Sequence, residues 1–84
     1  MINDADKKVL DYTESQYNGY IIEWAVTQST SQPSHWMGHY RVRKDGEPTF
    51  GASIANLQTT ADQAEIMATE LAKDHVDNRI AEKG

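Results

Sequence analysis

The chain has 84 residues, 38% of them hydrophobic and 25% charged, with no cysteine and a formal net charge of −5. That length holds one domain with a modest core, whose stability should be roughly 5 kcal/mol. The composition excludes disulfides, thiol catalysis and cysteine-based zinc sites, and the acidic balance argues against non-specific binding to nucleic acid or anionic membranes.

Residues 1–8 read as a solvated lead-in. Asn3 is placed to cap a short turn through Leu10, and the same residues equally suit a frayed terminus. They contain no apolar signal core, and no later run approaches the roughly 20 apolar residues of a membrane span, so a cytoplasmic protein is expected.

Val9–Gln16 and Tyr20–Thr27 flank Asn18-Gly19, a strong hairpin signal. A two-residue loop would set Glu14 opposite Glu23 and Thr13 opposite Trp24. A three-residue loop instead faces Tyr12 to Trp24 and Leu10 to Val26, and is preferred because it gathers the apolar residues on one side. Gln28–Ser34 is polar and aperiodic, a surface loop. His35–Arg43 alternates, with Trp36, Gly38, Tyr40 and Val42 on one face and Met37, His39, Arg41 and Arg43 on the other. After Lys44-Asp45-Gly46, a three-residue turn puts Phe50 opposite Tyr40, Ala52 opposite Gly38 and Ile54 opposite Trp36. Pro48 cannot donate to a ladder, which makes the last strand, Thr49–Ile54, an edge.

Thr60-Ala61-Asp62-Gln63 has the form of a capping box and opens a long helical pattern, Thr60–Ile80. At 100° per residue, Ala64, Met67, Ala68, Leu71, Ala72 and His75 share one side, and Lys73 can pair with Asp77. The expected fold is α+β: a single domain in which a four-stranded antiparallel meander (residues 9–54) carries one C-terminal helix (60–80) across one face. Leu10, Tyr12, Tyr20, Trp24 and Phe50 are among the large residues expected on the covered face, against a mostly alanine stripe.

No catalytic constellation appears, and no cofactor or metal is expected. His35 and His39 are four apart on a strand, roughly 13 Å, too far for one zinc. His75 lies in the apolar helix stripe with no nucleophile or carboxylate pair beside it, which favours a core histidine bonded to a carbonyl or a tyrosine over a general base. The five glycines are scattered and form no phosphate loop.

The outer sheet face is the better lead. Val9, Thr13, Ser15, Ala25, Thr49 and Ser53 belong to it, together with Ile21, Glu23, Met37, His39, Arg41 and Arg43. The last six are the candidate partner-binding residues. The leading expectation is a non-enzymatic domain that binds a protein partner or a second copy through this face or a strand edge. Arginine and methionine are enriched at such interfaces. An alternative is nucleic-acid binding through His39, Arg41, Arg43 and Lys44, weakened because the aromatics that would stack on bases lie on the covered face. The third is a small enzyme using His75.

At Thr59-Thr60-Ala61-Asp62-Gln63-Ala64-Glu65, following the strands, the chain resembles small uncharacterised bacterial proteins of the meander-then-helix type. It is also similar to antitoxin domains of the HicB type, which place a Thr-capped, Ala-rich helix after a meander. The resemblance covers residues 9–80 and rests on pattern. It implies the fold and carries over no functional residue, and the chain lacks the DNA-binding appendage of many such antitoxins.

Overall fold

The computed structural model describes residues 11–83. The expected lead-in turn and the placements of Val9 and Leu10 lie outside them. The described chain is an antiparallel meander of β1 (Thr13–Tyr17), β2 (Tyr20–Gln28), β3 (Trp36–Lys44) and β4 (Glu47–Ser53), in that spatial order, followed by the helix α1 (Ala61–Lys83). The α+β meander is therefore present, with β1 and β4 as the two edge strands of the sheet.

Both hairpin registers differ from the expected ones. The first turn is the two-residue loop: Tyr17 pairs with Tyr20, Thr13 with Trp24 and Glu14 with Glu23. Asn18 (φ 50°) and Gly19 (φ 87°) both occupy the left-handed region. That combination follows the right-handed twist of the strands, and Asn-Gly supplies it at low steric cost. Turn geometry thus outweighs the packing gain of the longer loop. Two side-chain arrangements make it tolerable. Arg43 reaches both Glu14 (3.2 Å) and Glu23 (3.3 Å), which relieves the like-charge pair. Trp24 finds Tyr40 across β3, and its indole N–H donates to Glu65 on α1 at 3.0 Å. As a consequence Tyr12 lies on the outer face, under the Arg41 guanidinium at 4.2 Å, and not in the core. Thr13 and Ser15 share the face of Trp24 and Ile22, not the outer one.

The second turn also leaves only Asp45 and Gly46 (φ 82°) between the paired Lys44 and Glu47. The register then shifts by a bulge, so that Phe50 pairs with Val42 and Ala52 with Tyr40. Phe50 stays on the face foreseen for it, two residues further along β3 than expected. The bulge falls at Pro48-Thr49 on an edge strand, where a missing backbone N–H is cheapest. Beyond β4, Ile54 donates to the Gly38 carbonyl at 2.8 Å, and Gln58 and Trp36 exchange a pair of backbone bonds.

Thr60 caps α1 as the sequence implies: its Oγ1 accepts from the Gln63 N–H at 3.1 Å and its carbonyl from the Ala64 N–H at 3.2 Å. The helix ends three residues later than the pattern suggested, where Lys83 suits the negative end of the dipole. Its fully buried line is Ala64, Ala68, Ala72 and Val76, spaced by four. Met67, Leu71 and His75, expected on that line, flank it instead, because a ridge of every fourth residue turns gradually around the helix as it crosses the sheet. Lys73 and Asp77 converge on Tyr17: the ammonium lies 5.7 Å from the ring centre, and the phenol donates to the carboxylate at 3.0 Å.

The core is formed by Tyr20, Ile22, Val42, Ala72 and Val76, with Tyr17, Trp24 and Tyr40 against it. Helix and sheet come close together at Gly38, where an added Cβ would stand 2.7 Å from the Ala64 carbonyl oxygen. At the other end, Glu47 gathers three partners. It accepts from the Tyr20 hydroxyl at 2.8 Å, pairs with Arg79 at 3.2 Å and pairs with Lys83. Helix α1 packs on β2 and β3 and leaves most of β4 uncovered.

Candidate interaction surfaces

The structure brings the six expected partner-binding residues onto one face. Ile21 stands opposite Arg43, Glu23 opposite Arg41, and Met37 opposite Thr27. The centre of that face is nevertheless not open. Glu23 is 6% exposed and His39 9%. Arg41 Nε donates to Glu23 Oε1 at 2.7 Å, and Arg43 to the same oxygen at 3.3 Å. The hydrogen bond from Arg41, aided by the charge of both arginines, holds the Glu23 carboxyl below the ordinary carboxylate range despite its burial.

His39 is saturated in the same way. Nε2 lies 2.8 Å from Thr27 Oγ1 and Nδ1 2.8 Å from Ser53 Oγ, so the ring clamps β2, β3 and β4 together. Burial pushes its pKa below the usual histidine value, and a neutral ring with one donor and one acceptor nitrogen suits two hydroxyls. His35 bonds only its neighbour Ser34, through Nδ1 at 3.1 Å.

These pairings disperse the residues of the nucleic-acid alternative. Arg41 and Arg43 are matched to carboxylates, and His39 is engaged at both nitrogens. Lys44 lies on the opposite face, its Nζ 4.8 Å from the centre of the Tyr20 ring. The four do not form one basic patch.

A second surface is apolar, and strand alternation and helical periodicity point to it only weakly. On β4 Phe50 is 38% exposed, and on α1 Leu71 is 37% and Ile66 55% exposed. Phe50 stacks on His75, with centroids 4.3 Å apart and planes 10° from parallel. A shallow, mostly apolar groove of about 350 Å³ lies one turn further back along α1, lined by Gln58, Ile66, Met67 and Leu71. The expected bond from His75 to a carbonyl or a tyrosine is not made by its Nε2, which is buried without a hydrogen-bond partner among the described residues. Its pKa is lowered by burial and, secondarily, by Arg79.

The edge of β4 completes this surface. Ile54 donates to Gly38, and Ala52 and Phe50 pair with Tyr40 and Val42. The alternation of an antiparallel ladder therefore turns the backbone groups of Gly51 and Ser53 outward, away from β3. The segment 48–53 carries no charged side chain. The uncovered apolar strip could be found only once the bulge and the course of α1 were known, because Phe50 and Leu71 read in sequence as ordinary core positions.

Buried His39 and half-buried His75 make stability depend on pH. Both have native pKa values below the ordinary 6.5, so the unfolded chain binds more protons in acid. Their contribution is complete above about pH 6.5 and is lost as pH falls toward the native values, by at most about 1.4 kcal/mol per pH unit for each ring. Urea unfolding at pH 7.5 and 5.5 should show this loss. His75→Leu should shrink it at little cost at pH 7.5, since it removes a buried unpaired nitrogen. An unchanged pH slope in His75→Leu would contradict the assignment.

No family model, no curated protein and no solved structure matches the chain. Among the described residues no group of three or more His, Asp or Glu side chains is placed to hold a metal ion, and no helix is long and apolar enough to cross a membrane.

Proposed function

We propose that this chain is a non-enzymatic interaction domain that binds protein through its sheet, by strand addition at the β4 edge. One observation carries the reading: β4 offers outward backbone groups at Gly51 and Ser53 beside the exposed side chains of Phe50 and Leu71. In strand addition the main-chain bonds supply affinity and alternate side chains supply selectivity. Here the strip next to the strand would receive apolar side chains on the helix side. The outer face is a weaker candidate, because Glu23 and His39 at its centre already have their partners. A partner-binding role is also in keeping with the resemblance to antitoxin-type domains, which belongs to the same proposal.

Selection from a displayed library of short uncharged peptides rich in β-branched residues tests the reading. Bound peptides should lose at least tenfold in affinity on Leu71→Asp and little on Met37→Asp. The opposite ranking would move the site to the outer face, and a library yielding no binder would remove the reading.

A further inference from the structure

We infer that the occupant of the β4 edge is a second copy of this chain, joined antiparallel about a two-fold axis at Gly51. The inference rests on the strand-addition reading above and names its partner. Three observations support it. The chain carries a net charge of −5, yet residues 48–53 have no charged side chain. A charged partner finds no counter-charge along this edge, whereas a second copy brings an equally uncharged strand and meets no like-charge repulsion there.

Gly51 is the second observation. Gly19 and Gly46 need their positive φ, and Gly38 is required by the close passage of α1. At Gly51 the backbone is not left-handed, and a Cβ would meet only the Tyr40 oxygen at 3.6 Å and Arg41 Cγ at 3.8 Å, ordinary contact distances. The fold of one copy thus does not call for glycine here, and glycine weakens a strand. Glycine inside a strand accompanies a bulge, a tight bend or the close approach of another backbone, and the bulge of β4 lies ahead of Phe50 rather than at Gly51.

Self-complementarity is the third. With Gly51 opposite Gly51 of the second copy, the outward N–H and C=O groups bond in pairs across the axis. Thr49 then falls opposite Ser53, and Phe50 opposite Ala52 in a non-hydrogen-bonded pair, where side chains come closest. A large ring beside a methyl fills that space on the helix side of both copies. Pro48 and its bulge end the pairing, and an isologous contact uses up the edge, so the assembly stops at two. A contact of five residue pairs, three of them distinct, with Phe50 and Leu71 beside it falls short of the roughly 1,200 Å² of standard interfaces, so the dimer is weak, with a Kd on the order of 100 μM.

Sedimentation equilibrium of the full chain from 10 μM to 1 mM tests this, with amide hydrogen exchange at both ends of the range. The mass should rise toward twice the monomer, and the Gly51 and Ser53 amides should exchange more slowly at 1 mM. Gly51→Glu, whose Cβ meets Arg41 Cγ at an ordinary contact distance within one copy and whose carboxylate would face its own copy across the axis, should stay monomeric at 1 mM. A wild-type monomer at 1 mM overturns the inference. So does a dimer whose Gly51 and Ser53 exchange is independent of concentration. If the chain stays monomeric while selected peptides still bind in a Leu71-dependent manner, the second copy is excluded and strand addition survives. If neither occurs, both fail.

Discussion

Gly38→Val is expected to leave the protein without a native fold at room temperature, and Gly38→Ala to lose about 3 kcal/mol. The reason is local and geometric. A Cβ at residue 38 would stand 2.7 Å from the Ala64 carbonyl oxygen, 3.2 Å from Ala68 Cβ and 3.3 Å from Ile54 Cδ1. The first of these is backbone in the first turns of α1 and cannot rotate away. The helix must lift, which opens the contacts of Ala64 and Ala68, both fully buried. Overpacking a tight core costs about 1–3 kcal/mol, occasionally more, and a domain of this size has roughly 5 to lose. Urea unfolding and the near-ultraviolet dichroism of Trp24 and Trp36 provide the measurement. A Gly38→Ala midpoint equal to wild type would mean that helix and sheet are further apart than described.

Glu47→Ala should be the most damaging single change to a charged residue, at about 2–4 kcal/mol. The carboxylate joins the start of β4 to the start of β2 and to the end of α1. Its removal takes the acceptor from the hydroxyl of Tyr20, a residue 1% exposed, which keeps only the long bond from Lys83 Nζ at 3.4 Å among the described residues, and it removes the carboxylate partner of Arg79, whose side chain is 18% exposed and also donates to the Pro48 carbonyl at 3.0 Å. Breaking one side of a mostly buried ion pair is costly because the other charge stays behind, and a hydroxyl that loses its acceptor in a buried residue adds its own desolvation cost. Glu47→Gln, which can still accept from Tyr20, should lose about half as much. By contrast Glu14→Ala should cost only a few tenths of a kcal/mol, since its pair with Arg43 is solvent-exposed on both sides. Chemical denaturation of the three variants at pH 7.5 checks the ranking. Equal losses for Glu47→Ala and Glu14→Ala would contradict it.

The architecture was legible because its signals are strong and mutually consistent. Asn-Gly and Asp-Gly mark the two hairpins, alternation marks β2 and β3, and Thr60 with the alanine run marks α1. Registers were not legible. At Asn18-Gly19 the sequence weighs a like-charge pair against turn geometry, and only the position of Arg43 shows that the charge pair is tolerable. At Asp45-Gly46 the bulge at Pro48-Thr49 shifts the pairing, and no count of alternating residues contains it.

The candidate surface followed the same division. Membership of the outer face was readable for Ile21, Glu23, Met37, His39, Arg41 and Arg43, since alternation along β2 and β3 fixes it. Their saturation was not, because Thr27, Ser53 and the two arginines converge only through the cross-strand registers. The β4 strip was hidden for a third reason. Whether Phe50 and Leu71 are core or surface depends on where the helix axis lies over the sheet, and the rotation of the buried line to Ala64, Ala68, Ala72 and Val76 decides that.

Whether this chain meets its partners along β4 can be read from its backbone amide resonances as the protein is concentrated or as a selected peptide is added. Gly51 and Ser53 should shift most, with Phe50 and Leu71 next, while Ile21 and Met37 on the outer face stay in place. Shifts centred on Ile21, Met37 and Arg41, with Gly51 and Ser53 unmoved, would contradict binding along β4.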